Sequence, residues 1–206
     1  MSFDRIAPFY RQLEALTAGG KLQRCRLAHL SSVPPPERIL IAGEGNGRFV
    51  PLCARRFPKA EITVIDASRR MLEIARRRTR HGNIVWIHAD ILQWQPPLET
   101  YDLIVTHFFL DCFTAGELSV LIDLLSRAAT PKAHWLLADF QLADAGFRKW
   151  RSRFILSLLY RFFHITAGLR PRQLVPPDPW LRENGFHLRS RSTYDWDLLK
   201  SELWAR

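Results

Sequence analysis

The stretch from Arg38 to Val50, R-I-L-I-A-G-E-G-N-G-R-F-V, most constrains what this chain can fold into. Its apolar run Ile39, Leu40, Ile41 and Ala42 reads as a buried parallel strand. Three glycines follow at alternate positions, Gly43, Gly45 and Gly47. Glycine lets a chain turn with positive φ and lets a ligand approach the backbone with no Cβ in the way. Beyond them Phe49, Val50, Leu52, Cys53 and Phe57 recur at helical spacing on one apolar side. Strand, glycine turn and helix in this order open a nucleotide-binding α/β unit. A dinucleotide fingerprint, G-x-G-x-x-G, needs glycine at position 48, where this chain has Arg48; a nicotinamide-dependent oxidoreductase is disfavoured on that ground.

The rest of the chain repeats the alternation. A second strand, Ile62 to Ile65, ends at Asp66, and Ser68 stands where an N-cap is expected for a helix with Met71, Leu72, Ile74 and Ala75 inside. A carboxylate there can accept hydrogen bonds from both hydroxyls of a ribose. Ile84 to His88 forms a third strand, followed by Ala89-Asp90-Ile91; Trp94 either covers a ligand ring or fills the core. A fourth, Tyr101 to Thr106, runs into T-H-F-F-L-D-C-F, and a fifth spans Trp135 to Phe140. Ligands of open α/β sheets sit at the carboxyl ends of strands, so Thr106, His107, Phe108 and Asp111 are expected to face one. His107 is the candidate base near neutral pH, and Asp111 orients it, binds a polar group or caps the next helix.

A chain of 206 residues, 47% hydrophobic and 24% charged, fits one α/β domain with a proper core. Cys25, Cys53 and Cys112 are scattered with no C-x-x-C pair, so neither a disulfide framework nor a zinc site follows, and no acidic triad or histidine cluster suggests a metal. The N-terminus, M-S-F-D-R-I-A-P-F-Y, has no apolar core of a secretory signal, and no apolar run reaches the ~18 residues of a spanning helix; the expectation is a cytoplasmic protein. The net charge of +10 favours anionic surroundings or simply reflects solvated arginine-rich helix faces. Between Ala145 and Pro177 there are seven basic residues and no acid, interleaved with aromatic and aliphatic ones. This region is a lid over an apolar substrate, a dock on a membrane surface, or a packed helix with basic edges.

The spacing G-x-G-x-G, the segment V-I-D-A-S-R-R-M-L, Asp90, the T-H-F-F segment and a closing strand pair, in that order, resemble the class I S-adenosylmethionine (SAM) dependent methyltransferases. The opening F-D-R-I-A-P-F-Y resembles their ubiquinone/menaquinone-biosynthesis-like members. One departure is Ile41, where the family often carries an acid two positions before the first glycine; Glu44 is a candidate replacement. The resemblance implies a Rossmann-like sheet of seven mostly parallel strands, the last antiparallel, with helices on both faces. It implies one domain: a helical cap (1–36), a cofactor-binding core (37–144), a basic and aromatic insertion on the substrate side (145–180) and closing strands (181–206). It implies SAM as cofactor, with S-adenosylhomocysteine as product, held by Gly43, Glu44, Gly45, Asn46, Gly47, Asp66, Ala67, Met71, Ala89, Asp90, Ile91, Thr106 and His107. Asp90 is the expected partner of the adenine amine. Tyr10, Phe108, Phe109, Phe140, Trp150 and Phe154 are the expected substrate-side residues, and Tyr10 packs a helix onto the core equally well.

The expected activity is methyl transfer to a small, apolar or aromatic acceptor. One alternative keeps the fold with RNA or DNA as acceptor, but T-H-F-F is not the N-P-P-Y-like sequence of base amino-methylating enzymes, and no appended RNA-binding module is recognisable. Another is a non-catalytic or membrane-associated protein of the same fold.

Overall fold

The computed structural model describes residues 20–79, 82–168, 171 and 173–206. Seven strands form one sheet in the order β3-β2-β1-β4-β5-β7-β6. They are β1 (Arg38–Ala42), β2 (Glu61–Asp66), β3 (Asn83–His88), β4 (Tyr101–His107), β5 (Ala129–Phe140), β6 (His187–Tyr194) and β7 (Leu199–Ala205). The first five run parallel, and β7 is antiparallel to both β5 and β6. This is the class I methyltransferase sheet. Six α-helices are described: α1 (Lys21–Leu27), α2 (Val50–Arg56), α3 (Arg69–Arg78), α4 (Ala115–Ala128), α5 (Gly146–Ala167) and α6 (Asp178–Glu183).

Alternation along β1 and β4 supplies both faces of the sheet. Ile39, Ile41, Leu103 and Val105 pack with Phe49, Val50 and Cys53 of the glycine loop and α2. Leu40, Ala42 and Ile104 pack with Leu118, Leu121, Ile122 and Leu125 of α4. Each fully buried side chain of this size contributes about 1.5–3 kcal/mol. Helix starts follow local chemistry. Ser68 Oγ accepts from the Met71 amide at 3.2 Å, and Thr114 and Glu117 form a reciprocal capping box at α4. Asp102 accepts from the Glu37 and Arg38 amides at 3.0 and 3.1 Å and so pins the entry to β1.

The fifth strand starts at Ala129, directly after α4, rather than at Trp135. Its added half pairs Ala129 with Tyr101 across a register shift. The hairpin between β6 and β7 turns through Asp195, Trp196 and Asp197, all with positive φ. Asp195 accepts from Lys21 and Arg151, tying α1 and α5 to that hairpin.

Strand order places β1 between β2, which continues one way, and β4, which opens the other half of the sheet. Loops leaving β1 and β4 therefore diverge, and a crevice opens beyond their carboxyl ends.

Candidate active site

A cavity of about 200 Å³ occupies that crevice. One side is built by Gly43 and Gly45, by Asp66, Ala67 and Met71 after β2, and by Ala89, Asp90 and Ile91 after β3. Asp66 accepts from the Gly45 amide at 3.0 Å and the Ser68 amide at 2.8 Å, locking the glycine loop to the end of β2. Gly45, at φ +64°, has nothing within 4 Å of where a Cβ would stand, so its backbone faces open space. Asp90 Oδ1 accepts from the Leu92 amide at 3.1 Å, an arrangement that holds its loop.

The opposite side is aromatic: Phe108, Phe109, Phe113, Phe140 and Phe163. Phe108 has a left-handed backbone, φ +53°, with its amide donating to the Ala138 carbonyl at 2.7 Å. A non-glycine residue there costs about 1 kcal/mol. The turn it makes breaks the alternation of β4 and sends Phe108 and Phe109 to the cavity. Arg26 of α1 lies over the Phe108 ring, 5.1 Å from its centroid. The Phe109 ring rests on Gly43, where any Cβ would overlap it.

Asp111 and Cys112 sit in this second wall, between the phenylalanines. The Asp111 amide donates to Asp139 Oδ2 at 3.3 Å, and Tyr160 of α5 donates to the Asp111 carbonyl at 3.3 Å. Burial raises the carboxyl pKa of both aspartates, and for Asp139 the charge of Asp111 raises it further. The Cys112 thiol is pushed well up by burial and by the same carboxylates, which keeps it un-ionised.

Several expected site residues are placed elsewhere. Glu44 turns inward: its Oε1 accepts from the Phe49 and Val50 amides at 2.7 and 3.3 Å, so it caps α2 instead of lining the cavity. Asn46 is buried and accepts from Arg78 at 3.3 Å. Gly47 packs on Ala75 of α3, where a Cβ would overlap the Ala75 backbone. Thr106 faces α4 and accepts from Trp135 Nε1 at 2.8 Å.

His107 follows the alternation of Leu103 and Val105 to the other face. It meets Phe49 edge-on at 4.5 Å, and its Nδ1 has no hydrogen-bond partner. Burial, with the Arg26 charge, depresses its pKa well below the usual histidine range. It does not line the cavity, and a base role there loses its geometry. Asp111 does not cap α4, since Thr114 does. Trp150 and Phe154 point outward from α5, which instead reaches the cavity through Phe163. Tyr10 lies outside the described residues.

Sequence reasoning passed over Phe113, Cys112, Glu117 and Phe163 as cavity residues. Phe163 carried a signal, standing i+3 from Tyr160 on the face of α5 that meets the body. Among the described residues no group of three or more His, Cys, Asp or Glu is placed to hold a metal ion, and no helix is long and apolar enough to cross a membrane.

A family profile described as a methyltransferase domain matches residues 39–132, the segment from β1 into β5 that carries the glycine loop, Asp66, Asp90 and Asp111. Residues 39–132 thus match a methyltransferase domain, and their glycine loop, Asp66 and Asp90 stand as the resemblance to the class I SAM-dependent methyltransferases implies.

Among characterised methyltransferases, the malonyl-[acyl-carrier protein] O-methyltransferase of Anoxybacillus flavithermus is 31% identical over 126 residues, 61% of this chain and 47% of that protein. The demethylmenaquinone methyltransferase of Thermotoga maritima is 36% identical over 85 residues, 40% of this chain and 37% of that protein. The chain thus spans about half or less of the length of these relatives. In fold, the N-methyltransferase NodS from Bradyrhizobium japonicum, solved with S-adenosyl-L-homocysteine, matches with a TM-score of 0.61 at 22% identity, covering 97% of this chain and 88% of that one. A putative O-methyltransferase from Nostoc punctiforme matches with a TM-score of 0.71 at 16% identity, covering 97% and 59%.

Proposed function

We infer that this methyltransferase moves a methyl group from SAM to a small acceptor with an apolar or aromatic body. The observation that carries the reading is the two-sided cavity. A glycine loop and two strand-end carboxylates form one wall, and five phenylalanines around Asp111 form the other.

The residues present suit the cofactor. Gly45 leaves open a cradle that any Cβ would fill. Asp66 stands in the cavity wall with its carboxylate oriented by the Gly45 and Ser68 amides, and a carboxylate is the acceptor that ribose hydroxyls need. In this reading Gly43, Gly45, Asp66 and Asp90 hold the cofactor, and its methyl group is already electrophilic when bound. The chain's own residues then have three tasks: to align the acceptor, to exclude water and to receive a proton where the acceptor loses one.

The aromatic wall suits the first two tasks, since it buries an apolar ring by edge and face contacts. Asp111 suits the third. Its raised pKa brings the carboxyl closer to neutrality, and it stands beside the phenylalanines, whereas Glu117, which also lines the cavity, accepts from the Thr114 amide and hydroxyl in the capping box.

Calorimetric titration with S-adenosylhomocysteine, with NADH as control, tests the cofactor half. Micromolar one-to-one binding of the first and none of the second is expected, and no binding of S-adenosylhomocysteine overturns the reading. Transfer of labelled methyl from SAM to a panel of apolar and aromatic small molecules, against polar ones, tests the acceptor half.

A further inference from the structure

Helix α5 is 22 residues long, about 33 Å, and stands on the body through Ser152, Leu156 and Tyr160. Its other face is apolar and open. Phe147, Trp150, Phe154, Leu158 and Ile165 repeat at intervals of three, four and seven residues, which places them in one stripe. Ile165 is 73% exposed, Phe147 66% and Trp150 62%, far beyond a scattered surface hydrophobe. Phe147, Trp150 and Phe154 stack in succession, with centroids 5.9 and 5.8 Å apart. The three rings therefore present a continuous ledge rather than separate side chains.

Charge on the helix itself has one sign, with Arg148 and Arg151 paired to Asp197 and Asp195 of the β6–β7 hairpin. Residues 145–177 carry seven arginines and lysines and no carboxylate. Lys149, Arg153 and Arg161 are exposed on α5. A second cavity, about 560 Å³, opens next to the stripe and is lined by Arg153, Arg161 and His164 with Leu142, Tyr160 and Leu174. Apolar ledge and basic hollow thus lie side by side along one helix.

We propose that α5 docks this protein on an anionic lipid surface, the stripe entering the acyl boundary and the Arg153–Arg161 hollow receiving lipid phosphate. Charge decides between this occupant and a second copy of the chain. Two α5 faces pressed together would oppose Lys149, Arg153 and Arg161 to their own copies with no carboxylate on either helix to offset them, whereas phosphate headgroups neutralise them. The helix lies flat, because nothing in it is apolar enough to cross a bilayer. Phe163 on the inner face of the same helix lines the cavity, so docking would also bring the catalytic wall within one helix diameter of the lipid. The docking itself does not depend on methyl transfer.

Vesicle sedimentation of the full chain tests this. The wild type should partition onto vesicles of phosphatidylcholine with phosphatidylglycerol, and roughly tenfold more weakly onto phosphatidylcholine alone, with salt erasing the difference. Trp150→Ser with Phe154→Ser should reduce partition at least about tenfold, because both rings leave the acyl boundary. Arg153→Glu with Arg161→Glu should abolish the preference for the anionic lipid while the melting temperature stays that of wild type, since all four side chains are exposed. Failure of the wild type to partition, or equal partition of wild type and both variants, overturns the proposal. So does a solution dimer that Trp150→Ser with Phe154→Ser converts to monomer, which assigns the stripe to a second copy.

Discussion

Asp66 Oδ2 accepts a hydrogen bond from the Gly45 amide at 3.0 Å, so the end of β2 holds the middle of the loop that follows β1. Its Oδ1 holds the Ser68 amide at 2.8 Å, two residues further along the chain. Asp66→Ala removes both acceptors and the carboxylate in the cavity. Affinity for S-adenosylhomocysteine should fall at least about tenfold, and stability by about 1–2 kcal/mol. Calorimetry and thermal denaturation read the two effects separately. Loss of stability with affinity intact would confine Asp66 to loop support.

Gly45 and Gly47 have similar backbones, φ +64° and +77°, but different surroundings. Gly45→Ala meets open space, so its cost to the fold is the left-handed strain, about 1 kcal/mol, while its methyl enters the cradle and should abolish measurable S-adenosylhomocysteine binding. Gly47→Ala drives a Cβ into the Ala75 backbone and should lower stability by about 2–4 kcal/mol. A thermal melt of each variant distinguishes them; the reverse ranking of stability would refute the assignment.

Glu44 caps α2 from a buried position, and burial raises its pKa to about 7. Its unfolded counterpart titrates near 4.3. The folded state therefore holds the proton more tightly, and the stability this contributes is full below about pH 4 and is lost as pH rises through about 7. Glu44→Gln keeps an oxygen for the Phe49 amide and has no charge to bury. Relative to wild type it should become more stable between pH 5 and 8 by on the order of 1–3 kcal/mol. Denaturant titrations across that range provide the check, and a constant difference at every pH would count against a buried, titrating Glu44.

His107→Leu keeps an apolar side chain against Phe49 and cannot move a proton. Turnover should stay within about threefold of wild type, because the ring stands outside the cavity. A loss of about a hundredfold in kcat with unchanged S-adenosylhomocysteine affinity would return His107 to the chemistry.

Asp111→Asn should lower kcat by about a hundredfold for an acceptor that loses a proton, with little effect on S-adenosylhomocysteine binding. The wild-type acid limb should lie above the ordinary carboxylate range, since burial raises the Asp111 pKa and the ionised form is the one that accepts the proton. A pH–rate profile with the limb unmoved in the variant would exclude Asp111 from the proton transfer.

The glycine-punctuated alternation of strands and helices was legible because it is local. A strand of Ile and Leu, a glycine turn and a capped helix are each written in a few consecutive residues, and Ser68 does at its site what its local position suggests. Glu44 misled because its side chain turns to the Phe49 and Val50 amides at the start of α2 and so leaves the cavity. His107 misled because position at a strand end says nothing of which face a side chain takes. Trp150 and Phe154 misled because an amphipathic helix does not state which of its faces meets the body.

Sequence by itself determined the alternation of strands, glycine turn and helices, and the resemblance it carries implied the seven-stranded sheet with an antiparallel close that the structure has. Only the tertiary structure decided which polar groups stand in the cavity. One left-handed residue, Phe108, reverses the alternation after β4, so that Phe109 and Asp111 reach the cavity while His107 is left against Phe49. Such a turn is held by a distant partner, the Ala138 carbonyl on β5, and contacts between remote segments leave no periodic trace in the chain.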